Sequence, residues 1–176
     1  MPPRVTAMAS HRARGKGRGM TENLRTPVLI TAIVAAGLQA GTYYVWACGV
    51  MPGLARVDDH TFVTTLNQVN QAIVNPVFML TFLGAPILAA AAVVTGTPAA
   101  RPWLIAGLVL AGATVAVTVL GNVPLNDALG RAASATDADV AVARAAFETA
   151  WVRWNVVRAL TATAALAALG WAALRA

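Results

Sequence analysis

Between Arg25 and Arg56 the chain carries no charge, and PVLITAIVAAGLQAGTYYVWACGVM supplies an apolar run of about 23 residues from Pro27. At about 1.5 Å of rise per residue that run crosses a ~30 Å hydrocarbon layer, which predicts a first span over 27–50. The next uncharged stretch, 61–100, is too long for one span and changes character at Asn75-Pro76. Before that point Asn67, Gln68, Asn70 and Gln71 interrupt it, while Phe62, Leu66, Val69 and Ile73 recur at helical spacing. DHTFVTTLNQVNQAIV therefore reads as an amphipathic helix capped by Asp58 or Asp59, lying at the membrane surface or against the bundle. After Pro76 a second span covers 76–96.

Pro102 at a favourable first-turn position and Trp103 as an interfacial anchor open the third span, over 102–122. The fourth covers 152–174, from near Trp151 or Trp154, and Arg175 stops it. Between spans three and four, SATDADVAVARAAFETAW has helical periodicity with Ser134 or Thr136 as its cap. The expected fold is an all-α membrane protein: a four-transmembrane-helix bundle with an amphipathic helix between spans 1 and 2 and a short polar helix between spans 3 and 4.

Composition agrees, since 58% of the 176 residues are hydrophobic and only 11% charged, against roughly 25% charged in soluble domains. The net charge of +6 is concentrated before the first span, at Arg4, Arg12, Arg14, Lys16, Arg18 and Arg25. A basic tail beside a span is a topogenic signal, and without aromatic-basic interleaving it does not point to nucleic acid. Residues 1–26 are rich in Arg, Gly and Pro without apolar period, so they are expected to be a disordered tail preceding a 27–176 membrane domain. Met8 and Met20 offer alternative starts, and the first apolar run is longer than a signal-peptide core. With one Cys and two His the chain lacks the ligands for a zinc, haem or iron-sulfur site of several protein ligands, and we expect no metal and no cofactor. The 95–101 turn and Arg175 share the basic side with the tail, whereas Asp58, Asp59, Asp127, Asp137, Asp139 and Glu148 fall on the other. The positive-inside rule then predicts a multi-pass plasma-membrane protein with both termini cytoplasmic.

This orientation assigns depths to the polar residues. Asn75 begins span two, Asn122 ends span three, Asn155 lies one turn into span four, and Tyr43, Tyr44 and Trp46 occupy the outer half of span one. Arg158, three residues after Asn155, shares its helical face. A buried guanidinium needs a partner, and Asp127 is the nearest candidate by topology; the alternative is that Arg158 snorkels to the headgroups. Pro124, in NVPLND, is expected to turn the chain so that Asp127 reaches back. Asn75 and Asn122 either cap helix ends or line a pocket, and the aromatics either form an interfacial belt or wall that pocket. Gln39, in the middle of span one, must face the bundle as inter-helix glue or as a pocket wall. Gly37 and Gly41 form a GxxxG pair suited to close helix approach. His60 is the external side chain with a near-neutral reference pKa, beside Asp58 and Asp59 at a helix start.

MPGL at 51–54, NP at 75–76, FLGAP at 82–86, NVPLND at 122–127 and WVRWNVVR at 151–158 resemble, in that order, the four-span membrane family that includes the anthrone oxygenases. The resemblance covers roughly residues 27–174. It implies oxidation of a lipid-soluble aromatic, as the family's named enzymes convert polyketide anthrones to anthraquinones with molecular oxygen and no recognised cofactor. Such chemistry needs a base to generate an electron-rich anion and donors to hold it. On this reading the donors are Arg158, Asn155 and Asn122, the base is His60 or Asp127, and Tyr43 and Trp154 are stacking walls, with Gln39, Asn75 and Asn126 completing the ligand-binding set. The competing expectation is a non-catalytic small-ligand binder or accessory membrane protein. The spans contain no Asp or Glu, so a carboxylate-driven proton-coupled transporter is not indicated. The expected partners are the bilayer, a hydrophobic aromatic molecule and molecular oxygen, with the oligomeric state left open.

Overall fold

The computed structural model describes residues 5–132 and 136–176, with side chains described from Glu22 onward. Among the described residues there is no strand. Helix α1 (Val5–Val45) passes through a π-helical turn (Trp46–Val50) into the short α2 (Met51–Leu54). After it come α3 (Asp59–Ile73) and α4 (Pro76–Thr95). Helix α5 (Arg101–Val117) passes through a second π turn (Thr118–Asn122) into α6 (Val123–Ala132), and α7 (Asp137–Ala173) closes the bundle. Four segments are long and apolar enough to cross a membrane: Glu22–Leu54, Pro76–Thr95, Arg101–Ala132 and Asp137–Ala173.

Local sequence explains the boundaries. Asp58, on extended backbone, accepts the Thr61 amide at 2.9 Å and so caps α3. Asn75 caps α4 by accepting the amides of Val77 and Phe78, both at 3.0 Å, and Pro76 fits the first turn because its missing N–H would have no partner there. Each π turn ends two residues before a proline, Pro52 or Pro124. A proline ring crowds the carbonyl four residues back, and a widened turn makes room for it without ending the helix.

Two expectations change. Pro124 does not turn the chain, because the π turn carries the axis of α5 on into α6. The polar segment before span four is not a separate helix; it forms the first turns of α7, capped by Thr136, while Ser134 lies outside the described residues. Helix α1 runs from Val5, through the basic segment. Extending a helix already nucleated by a span costs less than starting one.

Small residues set the spacing of the spans. Gly107 of α5 lies against α7 so closely that a Cβ there would sit 2.7 Å from Leu169 Cδ2. Gly37 of α1 faces Leu166 of α7, so that half of the GxxxG pair serves packing within the chain. Leu29, Ala32, Ala89, Leu104, Leu169 and Ala172 form one core at the end that carries Arg25, Arg101 and Arg175. There Arg25 donates to the Thr95 carbonyl at 3.1 Å and Thr97 to the Arg175 carbonyl at 2.9 Å. At the opposite end Met51, Phe62, Leu66, Leu129, Phe147 and Trp151 form a second core, through which α3 and α6 pack on α7.

Arg144 ties that second end together. It pairs with Asp59 and Glu148, each at 2.9 Å, donates to the Val57 carbonyl at 2.7 Å, and lays its guanidinium 4.4 Å from the Phe62 ring centre.

Candidate functional site

Below the second core, α1, α3, α4, α6 and α7 enclose a cavity of about 210 Å³. Its walls are aromatic: Tyr43, Trp46, Phe78, Phe82 and Trp151 all line it. Trp46 and Trp151 are tilted against each other at 5.3 Å, and Phe78 stacks on Phe82 at 5.8 Å. The polar groups reaching it are few, with Asn70 from α3, Asn126 from α6 and Arg158 from α7 the main ones.

Arg158 is the centre of the arrangement. It is 8% exposed, donates from Nη2 to Asn155 Oδ1 at 2.9 Å, and rests between the Tyr43 and Trp151 rings at 4.6 and 5.1 Å. Among the described residues the ion pairs are those of Arg144, so no carboxylate neutralises Arg158. Its Nε is buried without a hydrogen-bond partner, as is Asn70 Nδ2. Both residues line the cavity, so two buried donors have hydrogen bonds still to give to whatever occupies it.

The surrounding amides hold this group in place. Asn155 is fully buried and donates to the Tyr43 carbonyl at 3.1 Å, locking α7 to α1 at the level of Arg158. Gln39 donates to Thr81 at 2.9 Å and accepts from the Tyr43 hydroxyl at 2.7 Å, which fixes the Tyr43 ring under the guanidinium. Asn126 accepts from Trp151 Nε1 at 2.8 Å, and Asn122, fully buried, donates to the Trp151 carbonyl at 3.4 Å. Gln39 and Asn126 thus orient the two rings that flank one cation, while Asn155 and Asn122 hold the backbone behind them.

The anthrone oxygenase family model matches residues 65–168, more than half of the chain and most of this site. The chain belongs to the anthrone oxygenase family. Neither the curated proteins nor the solved structures yield a match. Asn70, Asn122, Asn126, Trp151, Asn155 and Arg158 lie within the family match, whereas Gln39, Tyr43 and Trp46 on α1 precede it.

Several sequence candidates sit elsewhere. Asp127 is exposed on α6 and makes no ion pair with Arg158; the residue turned inward is its neighbour Asn126. Arg158 does not snorkel either, since its head is buried. Trp154 is 43% exposed and lies against Gly121, where a Cβ would come within 2.7 Å of its ring, so Trp151 takes the wall position expected of it. Asn75 is exposed and its side chain is committed to capping α4. His60 is exposed on the first turn of α3, near Thr64 at 3.5 Å, and does not line the cavity. Among the described residues no group of three or more His, Cys, Asp or Glu side chains is placed to hold a metal ion.

Asn70, a polar interruption of the amphipathic α3 in the sequence, is a cavity residue in the structure. Its signal was available: it lies one turn beyond Leu66 and three residues before Ile73, on the side that α3 turns to the bundle.

Proposed function

We propose that this member of the anthrone oxygenase family oxidises a lipid-soluble, anthrone-type aromatic with molecular oxygen inside the aromatic cavity. The observation that carries the reading is Arg158, a buried guanidinium without a carboxylate, backed by two ring faces and with an unspent N–H beside the void. Such a group binds a ligand that is, or becomes, an anion. At about 210 Å³ the cavity is smaller than the roughly 300–1,000 Å³ of most ligand pockets, which suits a flat fused-ring molecule.

Loss of one methylene proton from an anthrone gives an aromatic phenolate, whose oxygen would pair with Arg158. The anion passes one electron to dioxygen, and the resulting radical and superoxide join in a carbon–oxygen bond at the former methylene carbon. The peroxide takes up a proton. Loss of the remaining C–H proton and cleavage of the O–O bond then give the quinone carbonyl and water. One dioxygen is consumed per quinone, the substrate supplies every electron, and the sequence as written calls for no cofactor. Arg158 contributes by stabilising the anion, which lowers the acidity barrier, and Asn70 by donating to a second substrate oxygen. No carboxylate or imidazole lines the cavity among the described residues, so we assign the first proton to water or hydroxide at the mouth rather than to His60 or Asp127.

That same lack of a base favours a second reading, a non-catalytic binder of anionic aromatics. Incubating the purified protein in lipid nanodiscs with an anthrone under oxygen, and following quinone absorbance above the autoxidation rate, separates the two. Saturable quinone formation supports the oxygenase. Binding without turnover across several anthrones supports the binder.

We further infer a plasma-membrane topology with both termini cytoplasmic and α3, α6 and the start of α7 outside. The grouping of Arg25, Thr95–Arg101 and Arg175 at one end supports this orientation. With Cys48 changed to Ser, Asp137→Cys should react with a membrane-impermeant maleimide on intact cells and Ala99→Cys only after permeabilisation; the reverse pattern contradicts it.

A further inference from the structure

A groove of about 690 Å³ runs down the outside of the bundle between α1 and α4. Val34 and Leu38 of α1 form one wall and Leu80, Leu83 and Ile87 of α4 the other, all of them exposed. The two helices stand apart at Gly84, where an added Cβ would meet nothing nearer than Leu88 Cδ1 of its own helix, at 3.9 Å. Along α4 the groove extends from Met79 to Leu88, starting one turn after the Asn75 cap. At about 1.5 Å per residue it lies roughly 6 to 20 Å below that cap, within a ~30 Å hydrocarbon layer. It therefore opens to lipid and not to water.

Met79 lines both this groove and the aromatic cavity, so its side chain stands between them. One turn along α1 leads from Leu38 in the groove to Thr42 in the cavity, and on α4 the neighbours Leu83 and Phe82 line one each. A methionine side chain is unbranched with three rotatable bonds, so it can swing aside without repacking the helices.

The two compartments differ in what they offer a ligand. The groove has no charged side chain, and the hydroxyls on it donate within their own helices, Thr31 to the Pro27 and Val28 carbonyls at 2.8 and 2.9 Å and Thr81 to the Phe78 carbonyl at 2.9 Å. It thus suits a neutral apolar molecule, and its volume falls within the roughly 300–1,000 Å³ of ligand pockets. The cavity, with the unspent donors of Arg158 and Asn70, suits an anion.

We propose that the α1–α4 groove is the lateral entrance by which a neutral fused-ring aromatic dissolved in the bilayer reaches the aromatic cavity, with the Met79 side chain as its gate. The inference rests on the oxygenase reading for the fate of the ligand, but the entrance serves a binder equally. The ligand enters neutral and ionises only beside Arg158, so no charge crosses the hydrocarbon, where it would be costly.

The test uses the full-length protein in nanodiscs with 13C-labelled Ile and Met methyls. Anthracene, which carries no ionisable group, should shift the Ile87 and Met79 methyls saturably, whereas Ile105, exposed on α5 away from the groove, should shift only in proportion to the anthracene in the bilayer. Gly84→Leu, and separately Leu38→Trp on the opposite wall, should fill the groove and abolish the saturable shift. Each should lower kcat/KM for an anthrone supplied in the bilayer roughly tenfold, while the Kd of a hydroxyanthraquinone stays constant, because the route is closed and not the site. Shifts at Ile87 and Met79 no more saturable than at Ile105 give the groove to lipid acyl chains and overturn the entrance. So does an unchanged kcat/KM in both variants, or a disulfide-linked dimer formed by Gly84→Cys in a Cys48→Ser background, which gives the groove to a second copy. If no anthrone is turned over, the oxygenase reading fails, and the association rate of a hydroxyanthraquinone added in its neutral form decides the entrance: slower in both variants supports it, unchanged overturns it.

Discussion

Replacing Arg158 by Met separates anion stabilisation from structural support, because the two roles predict opposite signs. In the folded protein an uncompensated buried guanidinium costs several kcal/mol in desolvation. It is offset by the charged hydrogen bond to Asn155, worth about 1.5–3 kcal/mol, and by two cation–ring contacts of about 1–2 kcal/mol each. These contributions nearly cancel, so Arg158→Met should leave stability within about 1 kcal/mol, a Tm change of about 2–4 °C for a chain of this size. The bound anion loses much more. A unit charge about 4 Å away at an effective dielectric near 20 contributes about 4 kcal/mol, or roughly a thousandfold in anion affinity and in the rate of a step that develops that charge. Thermal unfolding in nanodiscs, titration with an anthraquinone phenolate and quinone formation by the same preparation test all three numbers. A variant that unfolds 10 °C or more below the parent, yet forms quinone at the parental rate per folded molecule, would refute the anion-site reasoning and make Arg158 a structural clasp.

Asn70→Leu removes a donor with no partner in the empty site, so it should lower kcat/KM about tenfold without loss of thermal stability, whereas Asn155→Leu strips partners from buried Arg158 and from the Tyr43 carbonyl and should cost about 2–5 kcal/mol in unfolding measurements. Gly107→Ala pushes a Cβ to 2.7–2.8 Å from Leu169 side-chain carbons and should destabilise the bundle by about 1–3 kcal/mol, an effect that Leu169→Ala in the same chain should partly relieve. The Thr61 hydroxyl and amide hold the Asp58 carboxyl below its ordinary value of 3.8. A depressed folded pKa means that the cap's contribution is present above that value and is lost as pH falls through the folded pKa, so the Thr61 amide resonance should shift only in that acid range and Asp58→Ala should abolish the transition.

The spans were legible because each is bounded by charge or proline and because apolar length alone decides what crosses a bilayer. The inward face of α7 was legible too. Trp151, Asn155, Arg158, Ala162, Ala165, Leu169 and Ala172 alternate steps of four and three along one stripe, and all are buried. Following that stripe selects Trp151 over Trp154 for the cavity wall, a choice that the side chains' equal aromaticity had hidden. What no 3.6-residue periodicity could give is the phase of α6. The π turn at Thr118–Asn122 adds about one residue to a turn and rotates everything after it by about 100°, which brings Asn126 and Leu129 inward and leaves Asp127 in the open. The pairing of Arg158 with Asp127 was lost to that single widened turn. Asn70 was legible from the face it shares with Leu66 and Ile73, but which helices that face meets is a tertiary contact that α3 alone does not encode.

If the cavity around Arg158 oxidises an anthrone with dioxygen, the gas supplies the new carbonyl oxygen. Turnover by the purified protein under 18O2, with mass analysis of the quinone, tests it most directly. One 18O atom is expected in the new carbonyl, with one dioxygen consumed per quinone and loss of this activity to the autoxidation rate in Arg158→Met. Quinone formation no faster than in empty nanodiscs, or an Arg158→Met protein as active as the parent, would contradict it.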